Sequence, residues 1–155
     1  MGTTAGDLNK PVLLLAEDNP ADQTLIKRTI QKNAVNCDLR IVADGERTMD
    51  YLNHIGEYIT LKNSPKPHIV ILDLNMPKKD GRRVIQEMKS DPRFSDIPII
   101  VFTTSSHKKD VVVCYELGCS SFITKPANPH EFMDAIKEIC SYWFNLVTLP
   151  NTKRN

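Results

Sequence analysis

The sequence lacks several features that would place it in a specialised class of protein. Its longest apolar runs, such as Val12 to Ala16, are far shorter than the ~20 residues that a membrane helix needs. The first ten residues are polar and contain no apolar segment of the secretory type. The four cysteines form no CxxC pair, which disfavours a zinc site or a thioredoxin-type redox motif. We therefore expect a cytoplasmic protein with reduced cysteines and no membrane association.

An excess of charge of either sign is also missing. The 20 Lys and Arg residues nearly balance the 19 Asp and Glu residues, giving a formal net charge of +1. Little positive charge is available to release counterions from a nucleic acid backbone, so we expect no nucleic acid binding. The length of 155 residues and the hydrophobic content of 41% are typical of one globular domain. We expect this domain to span residues 11–150, between a disordered N-terminal segment 1–10 and a disordered tail 151–155.

Apolar runs of strand length alternate along the chain with segments of helical periodicity. This alternation is typical of βαβ units, and it predicts an α/β fold with helices on both faces of a parallel sheet. The runs are continuous and rich in β-branched residues, as expected for strands covered on both sides. The predicted strands are Val12 to Ala16, Leu39 to Val42, His68 to Leu72, Ile97 to Phe102 and Ser121 to Thr124.

Capping residues mark several of the predicted helices. Asn19 followed by Pro20 starts the first helix, Asn128 followed by Pro129 starts the last, and Gly118 ends the fourth. The other helices are predicted from Gly45 to about Ile55, from Gly81 to about Ser90 and from about Lys108 to Leu117. Residues 56–67 are predicted to form a long loop. The apolar stretch 143–149 is expected either to pack on its own domain or to form a subunit interface.

Polar side chains follow the strands at the edge where a doubly wound sheet binds ligands. Glu17 and Asp18 follow the first strand, and Asp73 and then Asn75 follow the third. Thr103 follows the fourth strand and Lys125 the fifth. Taken singly, each residue has an ordinary explanation, such as acids favoured at a helix N-terminus, a turn-forming aspartate or a solvated lysine. Taken together, they predict three carboxylates, a hydroxyl and an ammonium at one edge.

Clustered carboxylates repel one another, so we expect the acidic group to hold a cation. Oxygen ligands alone favour a hard ion such as Mg²⁺, which usually keeps several waters and is completed by a phosphate oxygen. Carboxylates also act as nucleophiles that form aspartyl phosphates. The transferred phosphoryl group needs a metal, a positioned cation and a hydrogen-bond donor, and Lys125 and Thr103 suit the last two tasks.

These segments resemble the receiver domain of bacterial response regulators. The matching motifs are LLLAEDNP, ILDLNMPKKDG, IPIIVFTTSS and SSFITKPANP, and the resemblance extends from Pro11 to about Tyr142. It implies a flavodoxin-like, doubly wound sheet of five parallel strands in the order 2-1-3-4-5. It also implies a stand-alone receiver of a two-component phosphorelay, a signalling switch that catalyses only its own phosphorylation and dephosphorylation.

The resemblance assigns roles to individual positions. Asp73 is implied to be the phosphoacceptor, paired in the resting state with Lys125. The implied Mg²⁺ ligands are Asp18 and Asp73 directly, Glu17 mainly through water, and Asn75 through its backbone carbonyl. Thr103 and Phe122 are implied to be the switch residues, the first moving toward the phosphoryl group and the second into the vacated space. Pro126 is implied to follow a cis peptide, and Gly81 to end the loop after the acceptor strand.

The long loop and the tail WFNLVTLP resemble the receivers paired with cyanobacterial and other bacterial phytochromes. This narrower resemblance implies a homodimer and a sensor histidine kinase, such as a phytochrome, as phosphodonor. Because little chain follows Tyr142, we expect output by docking of the face formed by the fourth helix, fifth strand and fifth helix. Two alternatives stay open: a phosphorylation-independent interaction module and a phosphatase with an aspartate nucleophile. The phosphatase is disfavoured by Asn75, because such enzymes usually carry a second acid at that position.

Overall fold

Five short apolar runs form a single parallel sheet in the computed structural model, which describes residues 10–150. The strands are β1 (Val12–Ala16), β2 (Asp38–Val42), β3 (Ile69–Leu72), β4 (Ile99–Thr103) and β5 (Ser121–Thr124). Their order is β2-β1-β3-β4-β5. The predicted α/β class, the flavodoxin-like doubly wound sheet and its order 2-1-3-4-5 are therefore confirmed.

Each strand is followed by an α-helix, and all five of these helices except the fourth, which follows His107, begin after a residue whose side chain caps them. They are α1 (Pro20–Lys32), α2 (Gly45–Asn53), α3 (Gly81–Ser90), α4 (Lys108–Leu117) and α5 (Pro129–Cys140). The predicted caps are present: Asn19 Oδ1 accepts from the amide of Asp22 at 3.1 Å, and Asn128 Oδ1 accepts from the amide of His130 at 2.8 Å. Gly118 ends α4 with φ of 112°, a conformation that costs glycine little.

Alternate residues of the central strands point to opposite faces of the sheet, so the protein has two apolar layers. Leu14 and Leu72 belong to the layer under α2, α3 and α4, and Leu13 and Ile71 belong to the layer under α1 and α5. In the second layer, the rings of Phe102 and Phe132 meet edge to face with centroids 5.1 Å apart. Each fully buried side chain of this size contributes about 1.5–3 kcal/mol through the hydrophobic effect. Both faces of β1 and β3 are covered, which explains their continuous apolar sequences.

Strands β2 and β3 begin one residue from their predicted starts, at Asp38 and Ile69, and β4 ends at Thr103 rather than Phe102. Two boundaries differ by two residues. Strand β4 begins at Ile99 rather than Ile97, and Pro98, which lacks an amide proton, contributes only its carbonyl, bonded by the amide of Val70. Helix α2 ends at Asn53 rather than near Ile55, because His54 turns into the left-handed region with φ of 55°.

The implied cis peptide before Pro126 is wrong. No peptide bond in residues 10–150 is cis. The amide of Lys125 donates to the Thr103 carbonyl at 2.6 Å, which extends the β4–β5 ladder up to the proline. The trans form is the lower-energy isomer of an X-Pro bond, so this arrangement carries no isomer cost.

The predicted loop between α2 and β3 contains a short 3₁₀ helix, Gly56–Tyr58. Hydrogen bonds anchor the end of the loop that leads into β3. Ser64 is fully buried, and its hydroxyl donates to the carbonyl of Tyr58 at 2.6 Å or of Thr60 at 3.0 Å. The Tyr51 hydroxyl donates to the Pro65 carbonyl at 2.8 Å. These hydrogen bonds to backbone carbonyls anchor the loop to the rest of the domain.

After α5 the chain continues as a π-helical segment, Ser141–Leu146. Trp143 and Phe144 pack against the layer under α1 and α5, whereas Tyr142 and Leu146 are exposed. This apolar stretch therefore packs on its own domain and still leaves apolar surface at the end of α5.

The predicted disordered segments 1–10 and 151–155 lie outside the described residues, except for Lys10. Among the helices of residues 10–150, none has the length and apolar character needed to cross a membrane.

Candidate metal centre

The carboxyl edge of the sheet brings together side chains from four strands. Ala16 at the end of β1 pairs with Leu72 at the end of β3, so Glu17 and Asp73, the next residues, are neighbours. The amide of Asp73 donates to the Ala16 carbonyl at 3.0 Å, which fixes the start of the loop after β3. Thr103 pairs with Thr124, and Lys125 follows at the same edge. All the predicted side chains therefore start from this edge, as expected for parallel strands.

Three acids form a compact cluster there. Glu17, Asp18 and Asp73 offer carboxylate oxygens that all lie within 4.8 Å of one another. Glu17 and Asp73 are buried, with 1% and 7% of their surface exposed. Buried like charges this close are costly without a compensating cation, and hard divalent ions prefer such oxygen ligands. The donor set fits an ion of the Mg²⁺ or Mn²⁺ type.

Burial raises the pKa of Glu17 to about 7. The hydrogen bond and the positive charge of Lys125 act in the opposite direction, while the charge of Asp73 raises the pKa further. A carboxyl group that titrates near neutral pH is ready to lose its proton when a cation binds.

Lys125 neutralises the cluster from the side of β5. Its side chain is 4% exposed, and Nζ lies 2.6 Å from Glu17 Oε1 and 3.1 Å from Asp73 Oδ2. Burial alone would lower the pKa of Lys125, but hydrogen bonds to Asp22 and Glu17 and the charges of Glu17 and Asp73 outweigh it and raise the pKa. The ammonium is therefore charged at any physiological pH.

Sequence reasoning missed Asp22, whose Oδ2 lies 2.8 Å from Lys125 Nζ. It stands four residues after Asp18, in the first turn of α1. Asp18 precedes the helix, so helical spacing gave no signal for Asp22. The contact forms because the Lys125 side chain reaches from the end of β5 to the first turn of α1.

The loop after β3 approaches the start of α3 too closely for any side chain at position 81. A Cβ on Gly81 would lie 2.6 Å from the Asp73 carbonyl oxygen and 2.7 Å from Leu74 Cα. The Gly81 amide instead donates to the Leu74 carbonyl at 2.9 Å. Asn75 lies within this loop, and its amide points toward Asp73 Oδ1 at 3.4 Å. The glycine therefore fixes the path of the backbone that carries both residues.

Thr103 is fully buried, and its hydroxyl oxygen has no hydrogen-bond partner among residues 10–150. A buried hydroxyl without a partner costs free energy, so its presence needs an explanation such as a ligand that is bound part of the time. Phe122 is half-buried against the layer under α2, α3 and α4. Its amide donates to the hydroxyl of Tyr115 at 3.0 Å, which links β5 to α4.

The β4–α4 loop is joined to α3 by a polar network that sequence reasoning also missed. Arg82 donates to Asp110 Oδ1 at 2.7 Å, and Ser105 donates to Asp110 Oδ2 at 2.5 Å. The hydrogen bonds to Ser105 and Arg82 lower the pKa of Asp110. The network holds the loop that follows Thr103 in one arrangement.

The sheet order, the acidic cluster and the buried lysine define a receiver domain, and the chain belongs to that family. The response regulator receiver domain profile matches residues 13–137. Response regulator Rcp1 of Synechocystis sp. is 40% identical over 139 residues, spanning 90% of this chain and 92% of Rcp1. The probable methanogenesis regulatory protein FilR2 of Methanothrix harundinacea is 33% identical over 133 residues, spanning 85% of this chain and 83% of FilR2.

Solved structures agree with this assignment. The Mn²⁺-bound form of Rcp1 has a TM-score of 0.85 and 40% identity, covering 91% of this chain and 99% of that one. The phosphorylated cyanobacterial phytochrome response regulator RcpA has a TM-score of 0.85 and 39% identity, covering 92% and 99%. The chain is a response regulator receiver of two-component signalling. Receiver domains bind a divalent metal ion in an acidic pocket, and an acidic cluster is present in this chain.

Proposed function

We propose that this protein is a phosphorylation switch that accepts a phosphoryl group from a sensor histidine kinase on Asp73, with Mg²⁺ as the cation. The observation that carries the proposal is the position of Asp73. It is a buried carboxylate at the mouth of β3, 3.1 Å from the ammonium of Lys125 and within the acidic cluster. No other carboxylate in the cluster directly follows the central strand β3.

The proposed transfer exchanges one bond to phosphorus for another. A carboxylate oxygen of Asp73 attacks the phosphorus of a phosphohistidine, the new P–O bond forms as the P–N bond breaks, and the imidazole nitrogen keeps the electron pair. Lys125 pairs with the transferred oxygens, and Thr103 donates its unused hydroxyl to them. The side chains of Glu17, Asp18 and Asp73 and the carbonyl of Asn75 would hold Mg²⁺, which supplies charge neutralisation when it is bound.

In the proposed switch, a movement of Thr103 is followed by a movement of Phe122 in β5. Once its hydroxyl is drawn to the phosphoryl group, the space that it leaves accepts the ring of Phe122. Phosphorylation thereby shifts an existing two-state equilibrium of the face formed by α4, β5 and α5. The protein performs no turnover beyond its own phosphorylation and dephosphorylation.

The proposed phosphodonor is a phytochrome-type sensor histidine kinase. The relative RcpA is a cyanobacterial phytochrome response regulator. The match between the two proteins covers 92% of the present chain. The described cysteines are free, which suits the reducing cytoplasm where such a kinase domain acts. We extend the proposal to a homodimer built on the exposed Tyr142 and Leu146, and to signalling through protein contacts rather than nucleic acid.

Incubation with a small phosphodonor such as acetyl phosphate tests the core of the proposal. Intact-mass analysis should show one added phosphoryl group in the presence of Mg²⁺, and none after chelation or in Asp73→Asn. A wild-type protein that gains no phosphoryl group, or a variant modified as fast as the wild type, would exclude Asp73 as the acceptor. Phosphotransfer from a purified phytochrome kinase tests the donor separately.

Sedimentation velocity tests the dimer. We expect a dimer that Leu146→Glu dissociates, because a charge placed in an apolar interface must be desolvated. A monomer at all concentrations, with and without beryllofluoride as phosphoryl mimic, contradicts this part of the proposal alone.

A further inference from the structure

The ammonium of Lys125 makes three close contacts, and the proposed reaction accounts for only two of them. Glu17 and Asp73, at 2.6 Å and 3.1 Å, belong to the acidic cluster. The third partner is Asp22 at 2.8 Å. An ammonium group has three N–H donors, so all of them are directed at carboxylates.

Asp22 is placed differently from the other two partners. It belongs to the first turn of α1, and its amide is bonded to the cap residue Asn19 at 3.1 Å. In the described part of the chain, the acids whose oxygens approach within 4.8 Å of one another are Glu17, Asp18 and Asp73, so Asp22 is not part of that cluster. Its side chain is 24% exposed, while those of Glu17 and Asp73 are almost fully buried.

The two cluster acids have competing uses that Asp22 does not share. A cation in the cluster engages Glu17 and Asp73, and transfer to Asp73 converts its attacking carboxylate oxygen into the bridging oxygen of an acyl phosphate. Both changes weaken the ion pairs of Glu17 and Asp73 with Lys125. They do so at the step at which the Lys125 ammonium has to contact the incoming phosphoryl oxygens. The contact with Asp22 does not depend on either change, because Asp22 is fixed by the helix start.

We propose that Asp22 is a positioning residue that keeps the Lys125 ammonium at the mouth of the site while Glu17 and Asp73 bind the cation and the phosphoryl group. The inference rests on the proposed phosphoacceptor function. The contrary case is one in which Asp22 draws Lys125 away from the phosphoryl group. The two cases differ in sign, since removal of the Asp22 charge slows phosphorylation in the first and speeds it in the second.

A double-mutant cycle on the phosphorylation rate tests the proposal. The initial rate with acetyl phosphate at saturating Mg²⁺ is measured for wild type, Asp22→Asn, Lys125→Gln and the double variant. Contacting residues usually couple, and for this partly exposed pair we expect Asp22→Asn to lower the rate about fivefold. In the Lys125→Gln background the same change should have no effect, because the ammonium that Asp22 positions is gone. Asp22→Glu should restore part of the rate.

Glu131→Gln is the matched control. Glu131 also stands in the first turn of a helix, α5, where it favours the helix dipole, and it is exposed. Its replacement should leave the rate unchanged, which separates the contact with Lys125 from a general loss of an acid at a helix start.

Urea unfolding of the same four proteins without Mg²⁺ gives a readout that is independent of the reaction. Asp22→Asn should lower the unfolding midpoint in the wild-type background and not in Lys125→Gln. Absence of this coupling shows that the pair does not form in solution and overturns the inference. A rate that is unchanged or raised by Asp22→Asn, or a loss that persists in Lys125→Gln, also overturns it. If the wild type takes up no phosphoryl group at all, the proposed function fails first, and the unfolding cycle still decides whether the pair exists.

Discussion

Lowering the pH through neutrality should weaken the binding of Mg²⁺, because Glu17 then takes up a proton. Burial raises the pKa of this carboxyl group to about 7, against the opposing influence of Lys125. A protonated carboxyl cannot serve as a metal ligand, so the cation and the proton compete for the same group. The ordinary carboxyl pKa would put this competition far below physiological pH.

The size of the effect follows from the ionised fraction of Glu17. With a pKa of about 7, roughly nine-tenths of the group is ionised at pH 8 and roughly one-tenth at pH 6. The apparent dissociation constant for Mg²⁺ should therefore rise about tenfold between these two values. Calorimetric titration at pH 6, 7 and 8, at constant ionic strength, measures this slope directly.

Glu17→Gln is the control for the pH dependence. The variant should bind Mg²⁺ more weakly than the wild type at pH 8 and show little change between pH 8 and pH 6. A wild-type affinity that does not depend on pH would refute the role given to Glu17. If the Glu17→Gln variant showed the same pH dependence of Mg²⁺ affinity as the wild type, the group that titrates would be a residue other than Glu17.

Protonation of Glu17 should also make the unfolding free energy of the metal-free protein depend on pH. A carboxyl whose folded pKa is raised adds stability at low pH, fully below its unfolded value of about 4.5, and this stability is lost as the pH rises through about 7. Glu17→Gln should therefore stabilise the metal-free protein against urea at pH 8, by about 1–3 kcal/mol, with the gain smaller by about 1 kcal/mol at pH 6 and nearly absent near pH 4. A destabilised variant at pH 8 would contradict the raised pKa.

Three further substitutions, one of them with a matched control, test single features of the structure by urea unfolding. Thr103→Val should leave the stability of the metal-free protein unchanged or raise it by about 1 kcal/mol, because the buried hydroxyl lacks a partner among the described residues; a clear loss would show that it has one. Gly81→Ala should cost about 1–3 kcal/mol through the clash with the Asp73 carbonyl. Gly56→Ala is its control and should cost only about 1 kcal/mol, because φ is +64° and the space is open. Ser64→Ala should cost about 1–2 kcal/mol and speed hydrogen exchange in the loop, and an unchanged exchange rate would show that the serine does not fasten it.

The sheet could be predicted from the sequence because its strands are continuous apolar runs and its helices carry local start signals. Asn19 and Asn128 mark helix starts that depend only on the next few residues. Strand β5 and helix α3 have the predicted bounds for the same reason. The carboxyl edge followed from the parallel order alone, since it collects whatever residues come after each strand.

Contacts between segments that are far apart along the chain could not be predicted from the sequence. The bond between Asp22 and Lys125 joins residues 103 positions apart and depends on the tertiary fold that brings the start of α1 near the end of β5. The network of Arg82, Ser105 and Asp110 joins α3 to the loop after β4 in the same way. Pattern reasoning finds the residues that end strands, and it misses partners that approach from a neighbouring helix.

The loop between α2 and β3 is exposed at its tip and anchored at its base. Its tip exposes Ile59 and Leu61, while Ser64 holds its base from within. The segment leads into the amino end of β3, across the sheet from the acidic cluster. Substitutions at the tip should therefore change the exposed apolar surface there while leaving the carboxyl edge of the sheet, at the other end of β3, undisturbed.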